Sequence, residues 1–170
     1  MATRDLLSSV ESVRALDRVA DVLGRVRLPE AVEAALRGRF LGHPVHPILI
    51  TLPVGTWTAA AVADFLLHDD DTARKLVGIG LAATPAAVLT GLVELATVTD
   101  PRGRRVGALH ALSNATAAVC FLASYRARRR GARKAGVTWS VLGLTAVSVG
   151  GALGGHLAYA LGAGVRRESR

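Results

Sequence analysis

The sequence predicts an all-α integral membrane protein, an antiparallel four-helix bundle preceded by an amphipathic helical segment. Three observations predict it. Four apolar runs, residues 48–67, 76–98, 106–125 and 137–161, are 20, 23, 20 and 25 residues long. A helix rising about 1.5 Å per residue needs about 20 residues to cross a hydrocarbon core of roughly 30 Å, so each run is long enough. The connecting segments "HDDDTARK", "TDPRGRR" and "RARRRGARK" are so short that successive spans must be antiparallel neighbours. No segment carries a strand pattern.

The elements follow in order. Leu16, Val19, Leu23 and Val26 recur at helical spacing between arginines and aspartates, which predicts an amphipathic helix over 8–27. Pro29 at a first helical position and Gly38 just past the end bracket a second helix of about two turns. Both are expected along the membrane surface. The first forty residues lack the apolar core and small-residue cleavage site of a signal peptide, so no removal by that route is expected. The chain thus divides into an amphipathic segment (1–41), a four-span domain (42–165) and a basic tail (166–170). Pro85 with Thr84 is expected to kink the second span, and Trp57 and Trp139 are too few to define an interfacial belt.

Composition excludes several classes of function. Apolar residues make up 51% of the chain and come in long blocks, which points to lipid rather than to a soluble helical core. The formal charge of +8 lies largely in short loops between apolar blocks, where topology signals and phospholipid head groups explain it better than nucleic acid does. Cys120 is the single cysteine, which rules out an intrachain disulfide, a zinc-thiolate site or a cysteine-ligated iron-sulfur cluster. A metal here would use histidine or oxygen.

Orientation rests on the arginines and lysines near the spans. One face has eight: Arg37, Arg39, Arg102, Arg104, Arg105, Arg166, Arg167 and Arg170. The other also has eight: Arg74, Lys75, Arg126, Arg128, Arg129, Arg130, Arg133 and Lys134. Five further arginines in the N-terminal tail tip the expectation toward cytoplasmic termini, and the "RARRRGARK" loop argues against it.

Topology gathers the candidate site. In such a bundle the start of span one, the end of span two, the start of span three and the end of span four share one leaflet. His43 and His46 precede span one, Glu94 is near the end of span two, His110 and Asn114 lie early in span three, and His156 and Tyr159 near the end of span four. His110 is about 6 Å and His156 about 7.5 Å from the ends of their runs, so their depths nearly match. An ionised group at the bilayer centre costs about 2.5 to 3.5 kcal/mol even on the lenient insertion scale, so such residues usually face one another or a wet cavity. Gly150, Gly151, Gly154 and Gly155 leave the helix around His156 without bulk, so a backbone or a flat cofactor can approach. His110 and Asn114, four apart, share a helix face. The prolines of "HPVHP" favour an extended path that puts His43 and His46 on one side, about 9 Å apart.

Plainer readings stand beside this one. Pro47 at a first helical position would explain the His-Pro pairs as helix entry, with both imidazoles facing head groups. His110, His156, Glu94 and Asn114 would then only hydrogen-bond between helices. Asp64, near the opposite end of span one, and His68 in the acidic loop are expected to be solvated or capping groups.

"LRGRFLGHPVHPILITLPVGTWTAAAVADFL", "LTGLVEL", "VGALHALSN" and "VGGALGGHLAYALGAGV" resemble, in order and spacing, a family of bacterial four-span membrane proteins catalogued as a domain of unknown function. The resemblance covers roughly residues 36–165 and rests on the Gly-His-Pro-x-His-Pro start and the Gly-Gly-His-Leu-x-Tyr end. Ala158 stands where relatives usually have valine. The resemblance implies a multi-pass protein of the bacterial inner membrane, often fused to or encoded beside a Rieske iron-sulfur domain. This chain lacks the cysteine and histidine ligands of such a domain, so a Rieske partner would be a separate protein.

The leading functional expectation is a redox-associated membrane subunit. It would bind one haem b, or a metal ion, between spans three and four. His110 and His156 are the expected axial ligands, His43 and His46 the alternatives or a lid, with Asn114, Glu94 and Tyr159 nearby. With all these histidines in one leaflet, electron exchange with a quinone or a Rieske partner on one face is compatible and a transmembrane electron wire is not. A second expectation is a non-enzymatic membrane scaffold or anchor whose polar cluster is structural and whose basic loops or N-terminal helices recruit a partner. A carrier using a protonatable Glu94 is a third, made less favourable by four spans with no internal repeat. No nucleophile-base-orienter arrangement is visible, so an independent enzyme is not expected. A homo-oligomer is compatible with every one of these readings.

Overall fold

The computed structural model of the protein describes residues 9–10 and 12–162. The fold is all-α, with no strand among the described residues. Among the described residues, six helices with both ends defined follow one another: α1 (Asp17–Leu23), α2 (Glu30–Leu36), α3 (His46–Phe65), α4 (Asp70–Leu95), α5 (Pro101–Arg129) and α6 (Arg133–Gly155). A π-helical turn, His156–Ala160, continues α6. Helices α3 to α6 are long and apolar enough to cross a membrane, which makes the fold the four-span bundle expected from the sequence.

The spanning helices outrun their apolar runs. Most of the charged segments expected as loops are helical, and the connections shrink to residues 66–69, 96–100 and 130–132. Capping explains two of the starts. Asp69 accepts the Thr72 backbone N–H at 3.0 Å and its hydroxyl at 2.6 Å, which holds the Asp69 carboxyl below the usual carboxylate range. Asp100 accepts the Arg102 N–H at 3.2 Å, and Pro101 takes the first helical position, where its missing N–H costs nothing. Arginine and lysine are good helix formers whose stems lie along apolar surface, so helix continues where hydropathy has already fallen.

Prolines act differently in two spans. In α3 the helical pattern opens at Ile50, between His46–Leu49 and Thr51–Phe65. Pro53 has no N–H to give the Leu49 carbonyl, and the Thr51 hydroxyl bonds back to the Ile48 carbonyl at 2.6 Å. Pro85 lies inside α4 without ending it, and the Thr84 hydroxyl donates to the Gly80 carbonyl at 2.9 Å. The entry to the first span also differs from the expected one: α3 begins at His46 itself, with Pro47 second.

The N-terminal segment is more broken than the single helix expected over 8–27, of which Ser8 and Glu11 lie outside the described residues. A 3-10 turn at Arg14–Leu16 leads into α1, which stops at Gly24. Pro29 caps α2 from outside rather than occupying its first turn, and Gly38 adopts the left-handed conformation (φ 68°) just past its end. Acidic residues tie α1 to the start of α5: Asp17 meets Arg105 and Asp21 meets Arg104, each at 2.7 Å. The arginines need that company, because the positive end of a helix dipole disfavours cations in the first turns of α5.

The described residues fall into two compact units, one within residues 9–46, 89–112 and 149–162, the other of residues 47–88 and 113–148. In the first, Val106, Leu153 and Leu157 form the core, with Leu109 and Leu161 against it. In the second, Trp57 stacks on Phe121 with ring centroids 4.0 Å apart, amid Ala60, Ala63, Ala73 and Val77. Gly143 accommodates the Phe121 ring, since a Cβ there would lie 2.8 Å from Cε2. The cores are small for such apolar helices: only 28%, 28%, 33% and 17% of the four spanning windows is buried inside the protein. Residues such as Leu52, Ile79, Leu89, Val119 and Leu142 face outward. A surface so apolar suits lipid and would aggregate in water.

Candidate functional site

The first unit holds four of the five histidines, His43, His46, His110 and His156. His46, the first residue of α3, places its ring over Gly91 of α4, where a Cβ would lie 2.8 Å from His46 Cε1. Its Nδ1 is 3.3 Å from the hydroxyl of Thr90, which is 1% exposed. His110 of α5 lies against α6, with its Nδ1 2.8 Å from the Gly150 carbonyl and its Cε1 3.0 Å from where a Gly154 Cβ would be. A carbonyl only accepts, so His110 carries its proton on Nδ1, and in the neutral ring Nε2 holds the lone pair. The two imidazoles meet edge-on, with centroids 6.4 Å apart and planes at 82°.

The remaining expected site residues distribute unevenly. Glu94 is brought to the same unit, where its Oε1 is 3.8 Å from Arg37 Nε, an ion pair longer than a hydrogen bond. Arg37 also pairs with Glu33 at 3.4 Å, so the carboxylate answers α2 of the N-terminal segment. His156, expected as an axial partner of His110, is half-buried at the start of the π-helical turn, and His46 is a ring neighbour of His110. His43 is exposed, and Tyr159 is 91% exposed, so neither lines an enclosed site. Asn114, one turn beyond His110 on α5, belongs to the second unit. Among the described residues, no three or more His, Cys, Asp or Glu side chains are grouped to hold a metal ion.

The glycines take a specific role. The sequence left Gly150, Gly151, Gly154 and Gly155 free to admit a backbone or a flat cofactor. In the structure, the flat groups seated on Gly91 and Gly154 are the imidazoles of His46 and His110 themselves, whereas Gly151 and Gly155 have no neighbour within 4 Å of a Cβ position.

The second unit holds a network that sequence reasoning missed. Asp64, expected to be solvated or capping, is 2% exposed, and Arg128, counted as a loop cation, is 4% exposed. The guanidinium grips Asp64 through Nη2–Oδ2 at 2.6 Å and Nη1–Oδ1 at 2.8 Å, while Nη1 also reaches Asp70. Its Nε donates to Ser124 Oγ at 3.2 Å and its Nη2 to Ser140 Oγ at 3.3 Å. Ser124 Oγ in turn bonds Ser140 Oγ and the Gly136 carbonyl, both at 2.8 Å. A guanidinium has five N–H donors, and each has an acceptor here. Gly136 makes the room, because a Cβ there would lie 2.6 Å from Arg128 Cγ. Asp64 of α3, Asp70 of α4, Ser124 and Arg128 of α5 and Ser140 of α6 are thereby joined around one cation.

Four apolar spanning helices, with polar side chains hydrogen-bonded between them, define a multi-pass membrane protein with a polar helix interface. Comparison with protein families matches residues 42–167 to the one described as "Predicted membrane protein (DUF2231)". The chain belongs to that family. No match was found among curated proteins or among solved structures.

Proposed function

We propose that the protein is a non-enzymatic membrane scaffold or anchor whose buried polar groups hold helices together. One observation carries this reading: every N–H of Arg128 is used by acceptors of the same chain, contributed by each of the other three spanning helices and by its own. A guanidinium so committed has no donor to spare for a substrate, and its removal would leave buried carboxylate without its counter-charge. The same logic runs through the histidines, since His110 answers a backbone carbonyl and its ring fills the hollow at Gly154. Basic loops and the N-terminal helices are the surfaces left for recruiting a partner. Unfolding of the purified protein tests this reading. His110→Gln and Asp64→Asn should each lower stability, whereas unchanged stability with a lost ligand or spectral band would argue for a chemical site.

A second reading has one observation in its favour. The Nδ1–H bond from His110 to Gly150 is the outer-sphere contact that metal-ligating histidines typically make, and it leaves Nε2 of the neutral ring basic. A haem b or a metal ion would then be held by His110 with His46 as the adjacent imidazole, in place of His156, and would exchange electrons with a quinone or a separate Rieske protein. The seating of both rings on glycine weighs against a wide planar group between them. In either reading we place the protein in the bacterial inner membrane with both termini cytoplasmic, and reporter fusions at each terminus test that placement.

A further inference from the structure

The "RARRRGARK" segment holds six cations in nine residues, 126–134, and the structure separates them. Arg128 turns inward and is neutralised by Asp64 and Asp70. Arg133 stays exposed, with one bond to the Asp64 carbonyl at 3.3 Å. Arg126, Arg129, Arg130 and Lys134 are exposed and have no ion pair among the described residues. Elsewhere Lys75 pairs with Asp71, Arg104 with Asp21 and Arg105 with Asp17, and exposed cations without an ion pair among the described residues, such as Arg14, Arg18, Arg25 and Arg102, are spread along the chain rather than gathered in one turn.

Helix stability explains only part of this cluster. Arg126 and Arg129 lie in the last turn of α5, where the helix dipole welcomes positive charge. Arg133 and Lys134 lie in the first turn of α6, where it does not, and that turn contains no acidic residue. Like charges crowded at the junction of two spanning helices call for negative charge from outside the chain.

Trp139 indicates its source. It is 40% exposed and lies about 9 Å along α6 from Arg133, and an exposed indole on a spanning helix favours the boundary between head groups and acyl chains. An indole at that boundary would put the cations at the level of the phosphates. We infer that the α5–α6 turn docks on anionic phospholipid head groups through Arg126, Arg129, Arg130 and Lys134, with Trp139 as the adjoining interfacial anchor.

The full-length protein would be reconstituted into vesicles of phosphatidylcholine alone, or of equal parts phosphatidylcholine and phosphatidylglycerol, with one lipid brominated at a time. Trp139 then reports its neighbours, because Trp57 is buried and gives a constant background. Brominated phosphatidylglycerol should quench more than brominated phosphatidylcholine at equal content, and salt should erase the difference. In R126Q/R129Q/R130Q/K134Q the preference should fall at least about fivefold, the effect of a single cation at an anionic surface. The salt titration of the unaltered protein needs no variant to fold. Equal quenching by the two lipids at low salt would overturn the inference, as would an undiminished preference in a folded quadruple variant. Equal quenching together with salt-sensitive capture of an acidic protein would assign the turn to a protein partner instead.

Discussion

Arg128 and Asp64 form a two-pronged ion pair, at 2.6 and 2.8 Å, with side chains 0% and 1% exposed. Such a pair gains from mutual attraction and loses from desolvation, so its value lies in what happens when one member goes. Arg128→Met should destabilise the protein by about 3–5 kcal/mol, because it strands the buried Asp64 carboxylate, and Asp64→Asn by less, because Asp70 still faces the guanidinium. Replacing both with apolar residues of like volume should recover most of the loss. A double-mutant cycle, read by unfolding in mixed detergent micelles, checks this, and additive single losses would show that the pair is not coupled.

The glycines beneath the imidazoles give a second test. Gly91→Ala pushes a Cβ to 2.8 Å from His46 Cε1, and Gly154→Ala to 3.0 Å from His110 Cε1. Each should cost about 1–3 kcal/mol through overpacking. Gly151→Ala meets nothing within 4 Å and should be neutral or stabilise by about 0.5–1 kcal/mol through helix propensity. The contrast within one helix, measured as melting temperatures, separates ring seating from a general dislike of bulk.

Asp17 and Arg105 link α1 to α5 in a pH-dependent way. The Arg105 guanidinium holds the Asp17 carboxyl below the usual carboxylate range. A carboxyl depressed in the folded state contributes stability above its unfolded pKa and loses it as pH falls through the folded pKa. Protection of the amides of residues 14–23, taken relative to their intrinsic exchange rates, should therefore persist through neutral and mildly acidic pH and fall only in strong acid. Asp17→Asn should bring that fall to neutral pH, and protection indifferent to both changes would show that α1 is held by other contacts.

The four spans were legible because their signal is length and hydropathy, which lipid imposes without reference to packing. The histidine face was legible in part. Hairpin topology alone assigns His46, Glu94, His110 and His156 to one leaflet, but that the His46 ring meets the His110 ring depends on which helix faces touch. The Arg128 network was missed although the same rule, applied to the opposite face, collects the end of span one, the start of span two, the end of span three and the start of span four. Those places hold Asp64, Asp70, Ser124 with Arg128, and Ser140. Ser124 and Arg128, four apart on one helix face, were the available signal. Arg128 was hidden among six cations whose common reading is a solvated loop. The breaks in the N-terminal segment depended on partners, Arg104 and Arg105, that local periodicity does not contain.

The absorption spectrum of the purified protein, oxidised and reduced, from cells replete with haem and metals tests the structural role of the polar groups most directly. The account predicts no Soret band, no stoichiometric metal, and a His110→Gln variant that differs from the native protein only in stability. A haem spectrum present at stoichiometric level in the native protein and lost in His110→Gln would contradict it.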